Sequence, residues 1–301
     1  MINLETSIGP LRIEKPGMVA SGVMDETGES MVRMLRSGAG AVVTKSIGME
    51  PKPGHPNPTF TDVPGGYVNA MGLPNPGIEL FAEEMELAVK EGKIVGSVFG
   101  SGAEEFAKLA GRMEDYGACA VELNLSCPHA KGYGMELGTD PAVVSSIVSI
   151  VKSAVSIPVW AKLTPNTQAL PEIGLAVQDA GGDAVVAINT LKALVISPEF
   201  ARPVLSNRFG GLSGPAVKPV GVRAVYDLST VLDIPIVGVG GITTWRDAAE
   251  YIMAGATAFQ VGSAIGPEGP RVFERINSGL SEFMEEHGYA SIKDMVGAAH
   301  E

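Results

Sequence analysis

Residues 235–264 read PIVGVGGITTWRDAAEYIMAGATAFQVGSA, in which two short apolar runs flank an amphipathic segment. The apolar runs are residues 235–241 and 258–264, and the amphipathic segment is residues 245–254. Near-continuous apolar runs are typical of strands buried on both faces, as in parallel sheets. We therefore predict a strand, a helix and a second parallel strand.

The same alternation extends over most of the chain. The predicted strands are residues 18–22, 41–45, 94–99, 120–126, 158–164, 184–190, 235–241 and 258–264. The predicted helices are residues 79–91, 104–116, 141–155, 171–180, 219–232 and 245–254. Eight strands alternating with helices favour an α/β fold of the (β/α)8 TIM-barrel type. The alternative, an open doubly wound sheet, would carry one glycine-rich turn after its first strand, whereas glycine and polar residues here follow nearly every run.

Two connections are long, residues 46–94 with seven prolines and residues 191–234. Structureless loops of this length are uncommon, so each is expected to carry small strands or a lid over the C-terminal mouth of the barrel. Residues 271–290 are predicted to form a closing pair of helices. Because no repeat or linker interrupts the pattern, we predict one domain over residues 1–301.

The composition excludes several classes of protein. A hydrophobic content of 45% argues against disorder. The net charge of −12, from 22 basic and 34 acidic residues, argues against nucleic acid or an anionic membrane as the main partner. No apolar run is long enough for a transmembrane helix, and the start MINLETSIGP is not a secretory signal. With only two cysteines, the chain is predicted to be cytoplasmic and to hold no structural metal.

Polar residues cluster at the ends of the predicted strands. In TIM barrels the catalytic groups come from the C-terminal strand ends, so these residues should converge on one mouth. They are Ser21, Lys45, Asn124, Ser126, Cys127, Lys162, Asn189, Thr190, Gly240, Gly241, Gly262 and Ser263. Lys45 and Lys162 would be costly to bury unless an anion or an electron-rich ligand pairs with them.

Glycines follow the seventh and eighth strands, where barrels frequently bind phosphate through backbone N–H groups. These are Gly240-Gly241 and Gly262-Ser263, and Ser213-Gly214 could add a third contact. Each pair alone could simply permit a tight turn. The three together, after the expected strands, favour a phosphate site.

Cys127 lies in the segment NLSCPH, residues 124–129. A thiol that follows a strand end in a proline-containing turn is a candidate base or nucleophile, although a lone cysteine is often only a small buried hydrophobe. Cys119 is predicted to be of the latter kind. His129 could be a general acid, a substrate contact or a turn residue.

The segment NAMGLPN, residues 69–75, lies in the first long connection. Asparagine amides both donate and accept hydrogen bonds, which suits a ligand with alternating C=O and N–H edges. The same composition also suits a turn. The residues alone leave both interpretations open.

The sequence resembles the dihydroorotate dehydrogenases over about residues 15–270. Seven motifs occur in the order in which they recur in that family: VTKS (43–46), NAMGLPN (69–75), NLSCP (124–128), AKLTPN (161–166), INTL (188–191), GGLSGP (210–215) and GVGGI (238–242). Each motif alone is weak, but seven in order are specific. The resemblance implies an FMN-binding TIM barrel that oxidises dihydroorotate to orotate in pyrimidine biosynthesis.

The resemblance also implies roles for matching residues. Cys127 would be the base that removes a proton from the carbon next to the one that loses hydride to flavin N5. The implied FMN contacts are Ser21, Lys45, Ser46, Asn124, Lys162, Ile188, Gly214, Gly240, Gly241, Gly262 and Ser263. The implied substrate contacts are Lys45, Asn69, Ala70, Met71, Gly72, Leu73, Asn124, Asn189 and Thr190. From its strand position, Lys162 is the candidate to stabilise the negative charge of reduced flavin.

A cysteine base, rather than serine, together with the lack of an N-terminal hydrophobic extension resembles class 1 of the family. The local sequence is nearer the class 1B catalytic subunit than the fumarate-linked homodimer. Class 1B pairs with a subunit that carries FAD and a [2Fe–2S] cluster and delivers electrons to NAD⁺. This chain has no dinucleotide fingerprint or four-cysteine cluster motif, so a partner would supply that chemistry. A homodimer or heterotetramer is expected.

Two positions depart from the family pattern. His129 stands where the family usually has asparagine, and dihydropyrimidine dehydrogenase has a similar NLSCPH run. Uracil/dihydrouracil chemistry is therefore a second hypothesis, although Lys45 and the loop amides favour a ring with a carboxylate. Ser97 stands where many class 1B enzymes have a flavin-contacting asparagine, so no contact is assigned to it. A non-redox phosphate-binding barrel and a non-catalytic flavin-binding scaffold are further hypotheses of other classes.

Overall fold

The computed structural model describes residues 2–125 and 137–300. Eight parallel strands close into a barrel in which each strand pairs with the next in sequence and the last pairs with the first. They are β1 (Gly17–Val19), β2 (Ala41–Val43), β3 (Ile94–Val98), β4 (Ala120–Asn124), β5 (Val159–Lys162), β6 (Ala184–Ala187), β7 (Ile236–Val239) and β8 (Ala258–Val261). The predicted TIM-barrel fold is confirmed, and each strand falls within one predicted run except β1, which begins one residue before its run, at Gly17. Apart from β4, whose predicted run extends beyond the described residues, each strand ends one to three residues before its run.

Helices surround the barrel. They are α1 (Gly28–Arg36), α2 (Ile78–Ala88), α3 (Ala103–Asp115), α4 (Pro141–Ala154), α5 (Leu170–Asp179), α6 (Lys218–Ser229), α7 (Trp245–Met253), α8 (Ile265–Glu268), α9 (Val272–His287) and α10 (Ile292–Met295). Two single turns of 3-10 helix are Leu137–Thr139 and Pro215–Val217. The inner face of α3 shows why these helices dock: Phe106, Leu109 and Met113 are fully buried, each contributing about 1.5–3 kcal/mol.

The predicted closing pair of helices over residues 271–290 is wrong. Residues 272–287 form the single helix α9, and the short helix α10 starts only at Ile292. Gly279, near the middle of α9, does not interrupt the helix. A Cβ added there would lie 2.1 Å from Cδ1 of Trp245, so this glycine lets the indole of α7 pack directly on the helix backbone.

A β-hairpin of Thr6–Ile8 and Leu11–Ile13 closes the N-terminal end of the barrel. Its buried side chains Ile8 and Ile13 pack with interior residues of the strands, including the fully buried Trp160. The hydroxyl of Thr6 donates to the carbonyl of Thr257, just before β8 begins. Because this end is plugged, access to the interior is from the C-terminal mouth.

The two long connections supply four strands that form a separate antiparallel sheet, here called the cap sheet. Its strands are Phe60–Val63, Gly66–Asn69, Leu191–Leu194 and Phe209–Ser213, with a two-residue pair, Ile196–Ser197 and Arg202–Pro203, beside it. Val68, Ala70 and Leu205 form the small core beneath this sheet. The prediction of small extra strands in the long loops is confirmed. Within the part of the chain that the structure describes, no helix is long and apolar enough to cross a membrane.

Candidate active site

A cavity of about 610 Å³ opens at the C-terminal ends of the barrel strands, under the cap sheet. This volume is within the range of cofactor and small-molecule sites. All of the predicted FMN contacts line it: Ser21, Lys45, Ser46, Asn124, Lys162, Ile188, Gly214, Gly240, Gly241, Gly262 and Ser263. So do most of the predicted substrate contacts: Lys45, Asn69, Met71, Gly72, Leu73, Asn124, Asn189 and Thr190.

Four residues singled out from the sequence are not placed in this cavity. Ala70 is fully buried in the small core under the cap sheet, where its N–H donates to the carbonyl of Thr59 over 2.8 Å. It therefore holds the loop and does not line the cavity. Ser126, Cys127 and His129 lie outside the described residues.

A chain of hydroxyls and amides crosses the mouth. Ser46 Oγ lies 2.9 Å from Ser97 Oγ and accepts a hydrogen bond of 3.0 Å from Asn124 Nδ2. Asn124 Oδ1 in turn accepts from Asn189 Nδ2 at 3.4 Å, and Ser46 Oγ also lies 3.1 Å from Ser21 Oγ. The bonds that join Ser21, Ser46, Asn124 and Asn189 connect residues at or just after the ends of four strands, so the amide groups facing the cavity are held in fixed orientations. Ser97 is buried behind this chain and does not line the cavity.

Residues 69–75 both form a turn and line the cavity, the two interpretations that their composition leaves open. Asn75 is buried, and its Oδ1 accepts from the N–H groups of Gly48 and Gly77 while its Nδ2 donates to the carbonyl of Leu73. It therefore pins the loop. Asn69, at the end of its cap-sheet strand, lines the cavity instead.

The glycine pairs form a cradle in the lining of the same cavity. Gly214, Gly240 and Gly241 have φ angles of +104°, +134° and +68°, which disfavour any residue with a side chain. A Cβ on Gly241 would also lie 2.6 Å from the carbonyl oxygen of Gly214. The two glycine turns are therefore packed directly against each other.

Gly262 is different, because this chain's own packing does not require a glycine there. An added Cβ would meet only the Cβ of Ala20, at 3.4 Å, and the φ angle is ordinary. The N–H groups of Gly241, Gly262 and Ser263 donate to no acceptor within residues 2–125 and 137–300. Open space and available N–H groups together suit an anion such as a phosphate.

Asp247, the third residue of α7, fixes the turn that follows β7. Its carboxylate accepts from the backbone and hydroxyl groups of Thr243 and Thr244 and pairs with Lys218 at 2.8 Å. Burial raises the pKa of Asp247, but the Lys218 ammonium and the Thr243 and Thr244 donors outweigh burial and lower it to about 2. The carboxylate stays charged, and the turn carrying Gly240 and Gly241 is tied to α7.

Asp25 lies behind the first strand end, with its carboxylate accepting from the N–H of Gly22 and its carbonyl accepting from the N–H of Lys45. Burial raises its pKa to about 7, although the Gly22 N–H and the charge of Lys45 oppose this. Asp25 therefore supports two segments that line the cavity, one at Gly22 and one at Lys45.

Lys162, at the end of β5, reaches the cavity from below. Its Nζ donates to Gln260 Oε1 at 3.2 Å and lies 3.5 Å from Glu122 Oε1. Gln260 Nε2 completes the triangle by donating to Glu122 Oε2 at 2.6 Å. This places one ammonium group at the cavity floor on a buried polar support.

These residues fit an FMN molecule. Hydroxyls, amides and an ammonium group on one wall match the polar edge of a flavin ring, and the N–H groups around Gly241, Gly262 and Ser263 match its phosphate. Apolar Ile188, Leu212 and Val239 complete the lining.

The sequence patterns do not predict several lining residues. Phe60 and Tyr67 stack at 5.1 Å between ring centroids and come from the cap sheet. Gln260 lines the cavity from within an apolar strand run, and Glu122 supports it from another. The sequence does contain an indication that Glu122 and Gln260 are special. A charged or amide side chain inside a strand buried on both faces is costly without a specific partner.

Comparison with known proteins agrees with this geometry. The dihydroorotate dehydrogenase family profile matches residues 3–284. The chain is 52% identical over 296 residues to the dihydroorotate dehydrogenase B (NAD⁺) catalytic subunit of Pyrococcus abyssi, covering 98% of this chain and 99% of that protein. Proteins with the same name from Thermoplasma acidophilum and Methanothermobacter thermautotrophicus are 51% and 49% identical over 300 residues, covering 99% of each chain.

The resemblance inferred from seven short motifs is thereby confirmed over nearly the whole chain, and the similarity is to class 1B catalytic subunits. The chain belongs to the dihydroorotate dehydrogenase family of flavin-dependent oxidoreductases.

Proposed function

We propose that this chain oxidises (S)-dihydroorotate to orotate with FMN in the cavity, as the catalytic subunit of a class 1B enzyme of pyrimidine biosynthesis. The observation that carries this function is the composition of one cavity: Lys45, Asn69, Asn124 and Asn189 face it together with Lys162 and the glycine cradle. This combination suits both an anionic ring with imide donors and acceptors and a flavin mononucleotide.

The substrate is held by charge and by amides. The Lys45 ammonium would pair with the substrate carboxylate, and the asparagine amides would hydrogen-bond the ring C=O and N–H groups. The chain of hydrogen bonds through Ser46, Asn124 and Asn189 fixes those amides before the substrate arrives. Such preorganisation lowers the entropic cost of reaching the reactive geometry.

Cys127 would be the base. It follows Asn124, the last residue of β4, by three positions in sequence. Its thiolate would take a proton from the ring carbon next to the one that loses hydride, leaving the C=C bond of orotate. Bound FMN would supply the acceptor for that hydride. Lys162 would stabilise the negative charge that arises on the cofactor side.

The electrons would then leave through a partner. The relatives are named as NAD⁺-linked catalytic subunits, and this chain has neither a dinucleotide fingerprint nor a four-cysteine motif in its sequence. A second subunit with FAD and a [2Fe–2S] cluster would complete the route to NAD⁺.

A second candidate function is oxidation or reduction of the uncharged dihydrouracil and uracil ring. The sequence NLSCPH, with His129 in place of the usual asparagine, favours it, and Lys45 in the cavity disfavours it. Membership in an oxidoreductase family argues against the non-redox barrel.

The test is to mix the purified FMN-loaded protein anaerobically with dihydroorotate or with dihydrouracil and to follow loss of the oxidised flavin absorbance. Rapid bleaching by dihydroorotate and little by dihydrouracil is expected. Bleaching by dihydrouracil alone would replace the first function by the second. A protein that is colourless after incubation with FMN and removal of the unbound FMN would overturn both.

A further inference from the structure

The polar triangle beneath the cavity joins three strands of the barrel. Glu122 is in β4, Lys162 ends β5 and Gln260 is in β8. Glu122 is completely buried, Gln260 is 1% exposed and Lys162 is 6% exposed. Two charges and an amide therefore occupy the inside of the barrel, next to the apolar layer that contains Trp160.

The buried polar triangle is not expected to stabilise the folded protein. Two ions taken out of water lose hydration that their mutual attraction often fails to repay, and apolar replacements of buried ion pairs are frequently neutral or stabilising. Glu122 Oε1 accepts no hydrogen bond from the described residues, with the Lys162 ammonium 3.5 Å away. Folding alone does not account for a carboxylate at this position.

The position of the polar triangle next to the cavity indicates a functional role for it. Lys162 and Gln260 line the cavity, whereas Glu122 does not, so its carboxylate lies behind the ammonium group. A negative charge behind Lys162 reduces the positive potential that the ammonium group presents to a ligand above it. Gln260 bridges the pair, accepting from Lys162 and donating to Glu122, and so fixes both charges.

We propose that Glu122 is a positioning residue that, through Lys162, sets how electron-poor the bound flavin is, with Gln260 as the bridge that maintains the geometry. Because it requires FMN in the cavity, this inference rests on the function proposed above. A flavin whose reduced anion is stabilised less strongly passes its electrons on more readily, which suits a catalytic subunit that delivers them to a partner.

The test compares wild type with Glu122→Gln, which removes the charge while an amide can still pair with Gln260. Sulfite adds reversibly to oxidised flavin and binds more tightly when positive charge near the ring is stronger. We expect the sulfite Kd to fall about tenfold and the FMN reduction potential to become more positive. Glu86→Gln, an exposed pair with Lys90, is the matched control for net charge and should change neither quantity.

A double-mutant cycle shows whether Glu122 acts through Lys162. In a Lys162→Met background, Glu122→Gln should change the sulfite Kd by a much smaller factor than in wild type, because the carboxylate then acts on the flavin only directly, from behind the cavity lining, and no longer through the ammonium group. If Glu122→Gln does not fold, Glu122→Asp replaces it. The shorter side chain of Asp moves the carboxylate away from Lys162. Glu122→Asp should therefore lower the sulfite Kd as well, by a smaller factor than Glu122→Gln.

A folded, FMN-bound Glu122→Gln protein with wild-type sulfite affinity and potential would overturn the inference. An equal effect of Glu122→Gln with and without Lys162 would also overturn it. These readouts need no substrate, so a failure to turn over dihydroorotate is a separate result that concerns the proposed function. A wild-type protein that binds no FMN would overturn both.

Discussion

The phenolic hydroxyl of Tyr251 donates a hydrogen bond of 2.7 Å to the backbone carbonyl of Gly240. Tyr251 is fully buried, and a Cβ on Gly221 or Gly238 would lie only 1.9 Å from its hydroxyl or 2.4 Å from its ring. Burial raises the pKa of Tyr251, so the hydroxyl keeps its proton and remains a donor. The glycine turn at the cavity wall is therefore held from behind by one phenol.

We predict that Tyr251→Phe weakens FMN binding by about threefold to tenfold, because the ring still fills its space but the Gly240 carbonyl loses its donor. Fluorescence titration of the apoprotein with FMN measures this. Tyr226→Phe, on the outer side of α6 against His300, is the control and should bind FMN normally. FMN affinity unchanged in Tyr251→Phe would show that the phenol does not support the turn.

Replacing Cys127 separates cofactor binding from proton removal. Cys127→Ala should bind FMN normally but lose most flavin reduction by dihydroorotate, and Cys127→Ser should be slow near neutral pH because a hydroxyl is a far weaker base precursor. Stopped-flow absorbance under anaerobic conditions measures the rate.

Cys119→Ala is the matched control for that experiment. Burial raises the pKa of the Cys119 thiol to about 11, and its Sγ donates to the carbonyl of Ile94, so it is a structural thiol. Its alanine variant should reduce flavin at the normal rate. Near-normal reduction by Cys127→Ala would refute the assignment of Cys127 as the base.

Lys162→Ala should both weaken FMN binding and destabilise the protein. Removing one partner of a buried ion pair leaves Glu122 charged and unpaired, at a cost of about 3–5 kcal/mol. Thermal unfolding of the apoprotein measures this loss. The double variant with Glu122→Gln should regain much of the lost Tm without regaining FMN affinity, whereas a Lys162→Ala protein of normal Tm and FMN affinity would contradict both roles.

Asp25 should make stability depend on pH in a defined window. The unfolded chain releases this proton near 3.8, whereas the folded protein keeps it until about 7, so the folded state binds more protons between these values. The stability that Asp25 contributes is therefore fully present below pH 3.8 and is lost as the pH rises through about 7. We predict that Asp25→Asn flattens the fall in the free energy of unfolding over this window.

Urea unfolding at a series of pH values measures that slope. Asp294→Asn is the control, since backbone and side-chain hydrogen bonds from Ser291 lower the pKa of Asp294 and its titration has the opposite sign. A slope identical in wild type and Asp25→Asn would contradict the raised pKa.

The barrel strands were predictable because each is buried on both faces and so reads as an apolar run. Helix α1 was not, although its signals are local: Thr27 and Ser30 form a capping box before the buried Met31. The N-terminal hairpin has only three residues per strand, too few for a clear period, and its role depends on the barrel that it plugs. Glu122 and Gln260 lie inside apolar runs, and only the closed barrel brings them to Lys162.

The most direct measurement is a single anaerobic turnover by the FMN-loaded chain without any partner subunit. Mixing with excess (S)-dihydroorotate should reduce all of the bound flavin and release one orotate for each FMN. Flavin that stays oxidised with dihydroorotate, or that is reduced without formation of orotate, would contradict the account.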